Sequence, residues 1–181
     1  MIYLIGGGAR SGKSTYAEEL IAGIPGQQKI YIATMEPGDD PENHARIAKH
    51  RAQREDKGFA TIECQTGLSE VTVPEGCTVL LECLANLLSN EMFSPSGAGR
   101  RAEEEILLGI DRLCARASQV FLITNDLYGD GESYAESVEQ YRRSLAAISR
   151  YAAERADVVV ELCAGIPVIW KSSPAHLKEH V

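Results

Sequence analysis

No run of apolar residues in this 181-residue chain approaches the length that spans a bilayer, and the N-terminus carries no basic lead ahead of a long apolar core. Neither a membrane span nor a secretory leader is expected. No CxxC pair occurs either. The five cysteines, Cys64, Cys77, Cys83, Cys114 and Cys163, are odd in number, widely spaced and mostly set in apolar runs, so they read as reduced core residues. Basic residues are in deficit: 18 Lys and Arg against 26 Asp and Glu give a net charge of −8, which argues against a duplex-binding surface and leaves small anionic ligands to local sites. Internal repeats, linkers and low-complexity tracts are missing. The expectation is a soluble cytoplasmic protein with one catalytic domain over residues 1–181, acting on a small molecule with neither nucleic acid nor membrane as partner.

What is present begins near the start of the chain. After the apolar run Ile2, Tyr3, Leu4, Ile5 comes GGARSGKS, with Gly7, Gly12, Lys13 and Ser14 at the fixed positions of a GxxxxGKS phosphate loop. A strand-like run precedes it and a helix-like run follows, which is the context the motif needs. Backbone N–H groups from Gly7, Gly8, Ala9, Arg10, Ser11 and Gly12 would close around phosphate oxygens, helped by the positive end of the next helix. Lys13 would reach the β- and γ-phosphates, and Ser14 would offer its hydroxyl to Mg²⁺.

Farther along, apolar runs alternate with helical periodicity. Strands are expected over residues 1–6, 29–34, 59–64, 77–82, 120–124, 158–162 and 168–171, the last two around a turn at 164–167. Helices are expected over 13–24, with Tyr16, Leu20 and Ile24 repeating at every fourth residue, and over 83–93, 101–117 and 132–155. Tyr134, Val138, Tyr141, Leu145, Ile148 and Ala152 form the core-facing stripe of the last. Such alternation predicts an α/β, three-layer P-loop NTPase (RecA-like) fold with a mostly parallel central sheet and helices on both faces. Ligands in such sheets sit at the carboxyl ends of strands, which would gather the phosphate loop, the loop after Thr34, Glu82 and Asn125 around one cleft.

Glu82 ends the near-continuous apolar run CTVLLE, the position from which a carboxylate helps hold Mg²⁺, usually through water; a strand-end surface carboxylate is the alternative, and Asp126 competes for the role. The run PENHARIAKHRAQRE holds a single large aliphatic, Ile47, and reads as an exposed helix. His44 and His50 on it are six apart, not the three or four that would place two metal ligands on one face. Lys49, Arg51 and Arg54 surround His50 with positive charge, which would lower its pKa and leave a neutral, nucleophilic imidazole facing an anionic ligand. A basic helix can equally be a solvated face.

GGARSGKS, YIAT, ARIAKHR, TIEC, LLECLANLLSN and FLITND, in that order, resemble the adenosylcobinamide kinase/adenosylcobinamide-phosphate guanylyltransferase family of cobalamin biosynthesis. The RIxxH helix is the feature that ordinary P-loop kinases lack. The resemblance implies two reactions: phosphorylation of adenosylcobinamide with ATP or GTP, then transfer of GMP from GTP through a His50–GMP intermediate to adenosylcobinamide phosphate. By position it implies catalytic roles for His50 and Lys13, a nucleotide cleft lined by Ala33, Thr34 and Met35, phosphates flanked by Arg51 and Arg54, nucleotide or metal contacts at Glu63 and Glu82, and a homo-oligomer, a trimer if like the family. For Glu63 a surface carboxylate explains the residue as well. The pattern thins between residues 125 and 150, where Asn125 and Arg142 survive, so the acceptor and the ATP or GTP preference stay open. A P-loop kinase without guanylyl transfer and a GTP-sensing switch are the competing functions.

Overall fold

The structure, a computed structural model, describes residues 1–36, 54, 56–127 and 134–172. Strand β1 (Ile2–Gly7) lies inside the described sheet, parallel to β5 (Gln119–Ile123) on one side and β6 (Val158–Cys163) on the other; Leu4 is in register with Leu122 and Val159. With β2 (Lys29–Ala33), β3 (Phe59–Glu63), β4 (Thr78–Glu82) and β7 (Ile166–Lys171) the sheet has seven strands in the order β3-β2-β4-β5-β1-β6-β7, and β7 alone runs antiparallel. Continuous apolar runs form the middle strands because both faces are covered: Val79, Leu80, Leu81, Phe121 and Leu122 are all buried.

Among the described residues, four α-helices make the cover. Helix α1 (Lys13–Ala22) carries the chain from β1 toward the β3 edge, whereas α2 (Leu84–Phe93), α3 (Ala102–Arg116) and α4 (Glu136–Arg155) belong to connections running the other way. Right-handed crossovers of opposite direction lie on opposite faces, so α1 covers one side and α2 to α4, packed on one another, cover the other. The expected α/β arrangement with helices on both faces is thus the one observed.

Four details depart from expectation. The buried row of α1 is Lys13, Ala17 and Ile21, one residue on from Tyr16 and Leu20, which are half-buried on its flank. The small Ala17 lets the helix settle on the sheet. On α4 the core stripe starts only at Tyr141: Tyr134 precedes the helix, and it and Val138 are exposed, while Leu145, Ile148 and Ala152 are buried. Cys163 is exposed at the end of β6 and Cys114 half-buried, so only Cys64, Cys77 and Cys83 are core thiols, each pushed up in pKa by burial. The final turn is shorter than expected. Ala164 and Gly165, both at positive φ (51° and 84°), form a two-residue hairpin, and Ile166 and Pro167 belong to β7.

Gly109 lies in α3 under Leu68, a fully buried residue of the short 3₁₀ turn Leu68–Glu70; a Cβ at position 109 would meet Leu68 Cγ at 2.5 Å. Alanine gains about 1 kcal/mol of helix propensity there, but overpacking a filled core costs roughly 1–3 kcal/mol. The overlap wins because Leu68 has nowhere to move. Gly109→Ala is expected to lower the urea midpoint.

Candidate active site

The phosphate loop forms because β1 cannot run on: Gly7 takes φ +140°, and a Cβ there would lie 2.6 Å from Leu162 O and 2.8 Å from Ser11 Oγ. Only glycine fits between the loop and β6. Gly12, at φ 95°, is the N-cap of α1 and brings no side chain, so the first-turn N–H groups are left for a ligand. The loop is anchored from two sides, by Asp126 N–H donating to Gly7 O (3.1 Å) and by Gly165 N–H of the β6–β7 hairpin donating to Ser11 O (3.1 Å).

A cavity of about 660 Å³ opens over the carboxyl ends of the strands. Ala9, Arg10, Ser11, Gly12, Lys13 and Ser14 line its loop side; Ala33, Thr34, Met35, Glu63, Glu82 and Arg54 line the other, with Asn125 at its margin. The predicted residues that fall within the described chain therefore converge, with Gly7 and Gly8 behind the loop as backbone acceptors. His50 and Arg51 lie outside the described residues. Asp126, the competing carboxylate, does not line the cavity and acts here through its backbone N–H.

Lys13 is buried, and its ammonium donates to Gly7 O at 3.0 Å and Gly8 O at 2.6 Å. Burial draws its pKa below the usual lysine range, and the nearby Cys83 and Glu82 oppose that. Ser14 Oγ donates to Glu82 Oε1. Tyr31 donates to the other carboxylate oxygen at 2.5 Å, and its phenol is pushed up first by burial and then by the charge of Glu82, so it stays a donor. In register, Ala33 pairs with Glu63 on one side and Glu82 on the other, which places the two carboxylates at the same height on the strands flanking β2, Glu82 on the side nearer the phosphate loop.

The floor is held by Thr34, fully buried, whose hydroxyl donates toward Glu82 O (2.9 Å) and accepts from Cys83 N–H (2.7 Å) across the cis Glu82–Cys83 peptide. Asn90 of α2 donates to Thr34 O at 2.8 Å and Gln65 O at 3.1 Å, tying the ends of β2 and β3 to the helix. Sequence reasoning missed Tyr31 and Asn90. Tyr31 had a legible signal: it stands two residues before Ala33 on the same strand and so shares its face. Asn90 had none, because its partners come from two other segments.

Several solved structures share this fold. One is a KaiC-like protein from the hyperthermophilic archaeon Pyrococcus horikoshii, matched at a TM-score of 0.51 and 15% identity over 96% of this chain and 80% of that one, a likeness of fold alone. Sequence relatives are more specific. The bifunctional adenosylcobalamin biosynthesis protein CobU of Salmonella typhimurium is 32% identical over 93% of this chain and 98% of its own length, and CobP of Pseudomonas aeruginosa is 33% identical over 94% and 98%. The family model for cobinamide kinase / cobinamide phosphate guanyltransferase matches residues 3–169. With the phosphate loop, the paired strand-end carboxylates and that match along nearly the whole chain, the protein belongs to the cobinamide kinase / cobinamide phosphate guanyltransferase family.

Proposed function

We propose that this chain is a bifunctional transferase of cobalamin biosynthesis that runs both reactions over one cleft. In the first, the hydroxyl oxygen of adenosylcobinamide attacks the γ-phosphorus of ATP or GTP, giving adenosylcobinamide phosphate and the nucleoside diphosphate. In the second, the His50 imidazole attacks the α-phosphorus of GTP; a P–N bond forms and pyrophosphate leaves. A phosphate oxygen of adenosylcobinamide phosphate then attacks the same phosphorus, the P–N bond breaks, and adenosyl-GDP-cobinamide forms. Both are displacements at phosphorus that need charge neutralisation and alignment more than covalent machinery, and a phosphoramidate splits the harder one into two.

The observation that carries this reading is the convergence of Lys13, Ser14, Glu82 and Arg54 on one cavity, with Ser14 bonded across it to Glu82. Lys13 would leave its loop carbonyls for phosphate oxygens. The Ser14 hydroxyl and Glu82 carboxylate form the small, hard oxygen set that suits Mg²⁺, which takes one or two protein ligands and completes its shell with water and phosphate. When bound, Mg²⁺ would neutralise charge on the phosphates. No described helix is long and apolar enough to cross a membrane. We take the working form to be a cytoplasmic homo-oligomer, a trimer if it follows the family.

Incubation with α-labelled GTP tests the reading. The full chain should acquire acid-labile, base-stable label, and His50→Ala should acquire none while still binding GTP. Wild-type protein that binds GTP yet takes up no label would leave a kinase or a GTP-binding switch in its place.

A further inference from the structure

We propose that Tyr31 is a positioning residue for the metal-side carboxylate, fixing the rotation of Glu82 so that one oxygen stays on Ser14. The inference rests on the reading of Ser14 and Glu82 as the Mg²⁺ position. A carboxylate at a strand end turns freely about its side-chain bonds, and two positive or donating groups compete for Glu82: the Ser14 hydroxyl, with which it is bonded, and the Lys13 ammonium, near enough to feel its charge. The Tyr31 hydroxyl resolves that competition. It donates to Oε2 at 2.5 Å while Oε1 accepts from Ser14, so the carboxylate plane is set by a donor at each end.

Tyr31 can do this because it is itself immobile. Its ring is 7% exposed, has the Arg54 guanidinium 4.0 Å above its face, and meets the edge of Phe59 at 6.0 Å with the planes at 88°. The backbone supports the same geometry. Ala33 pairs with Glu82 and Tyr31 with Leu80, so Tyr31 and Glu82 are diagonal neighbours on one face of adjacent strands, within reach of a long aromatic side chain. Tyr31 acts through Glu82, as groups behind a metal ligand do.

Phenylalanine removes the hydroxyl and keeps the ring between Arg54 and Phe59, which separates positioning from packing. Affinity for a fluorescent GTP analogue is measured on the full chain in EDTA and then across a Mg²⁺ titration, for wild type, Tyr31→Phe and Glu82→Gln. Tyr31→Phe should bind the analogue in EDTA as wild type does, and should need roughly 10- to 100-fold more Mg²⁺ for half of the metal-dependent gain in affinity. An unchanged Mg²⁺ midpoint overturns the proposal, and so does a loss of binding already in EDTA, which would make the hydroxyl a structural group. Glu82→Gln separates the two levels: if it abolishes the metal-dependent gain while Tyr31→Phe does not move it, the positioning role alone fails; if neither variant moves it, the Mg²⁺ reading of Glu82 fails as well.

Discussion

Lys13→Met should lose both phosphoryl transfer and guanylylation by about 10²–10³-fold or more in kcat/KM, without losing stability. The two halves of that result come from the same contacts. The ammonium is buried against Gly7 O and Gly8 O, and it is the cation the loop can offer to a developing charge on the β- and γ-phosphates, preorganised where little water can substitute. For folding, the same burial is unfavourable: a charge has left water, and the pKa is drawn down accordingly. Methionine keeps most of the unbranched stem on the α1 face with Ala17 and Ile21 and removes the charge. A thermal midpoint equal to or above wild type, with both activities lost, is the expected pair. Arginine should not rescue, since its planar fork cannot follow the path of a narrow ammonium between two loop carbonyls. Steady-state kinase rates, the rate of label uptake from α-labelled GTP and a melting curve measure all three.

Gly7→Ala should be the most damaging conservative change in the loop, costing about 3 kcal/mol or more, which for a chain of this size lowers Tm by roughly 6–12 °C. The added methyl group would sit 2.6 Å from one backbone atom of β6, Leu162 O, and 3.3 Å from another, Leu162 N, in a conformation (φ +140°) that L residues avoid. Relief requires parting β1 from β6, where Gly7 and Leu162 are paired in the parallel ladder. Nucleotide binding should fall with the fold. Gly8→Ala is the control, because its Cβ would meet nothing within 4 Å, and its stability should stay near wild type. Equal melting points for the two variants would show that the close approach of β1 to β6 is not what requires glycine at position 7.

The parts of the site that the sequence made legible are those written in short range. Gly7, Gly12, Lys13 and Ser14 are spaced along one stretch, and Glu82 stands at the end of an apolar run, where a charge needs a reason. The middle strands were legible for the same cause, since Leu80, Leu81, Phe121 and Leu122 are apolar on both faces. What stayed hidden depends on partners far apart in the chain. Nothing near Asn90 indicates that its amide will bridge Thr34 and Gln65, and an apolar stripe at helical spacing could not say that Val138 would be left exposed. Periodicity reports which residues share a face; it does not report how far the opposing surface extends. Cys163 was misread similarly, because an apolar neighbourhood in sequence does not distinguish the end of a strand from its middle.

The hydrogen bond from Gly165 to Ser11 carries a consequence for how this protein comes into being. The phosphate-binding motif leaves the ribosome before its outer support, a hairpin more than a hundred residues farther along, and the strand it packs against, β6, is the last parallel one of the described sheet. A nascent chain that stops short of Gly165 holds every residue of the motif and lacks the scaffold that shapes it. The loop therefore takes its final shape only once β6 and its hairpin have joined the sheet, so nucleotide binding is coupled to closure of the sheet at that edge.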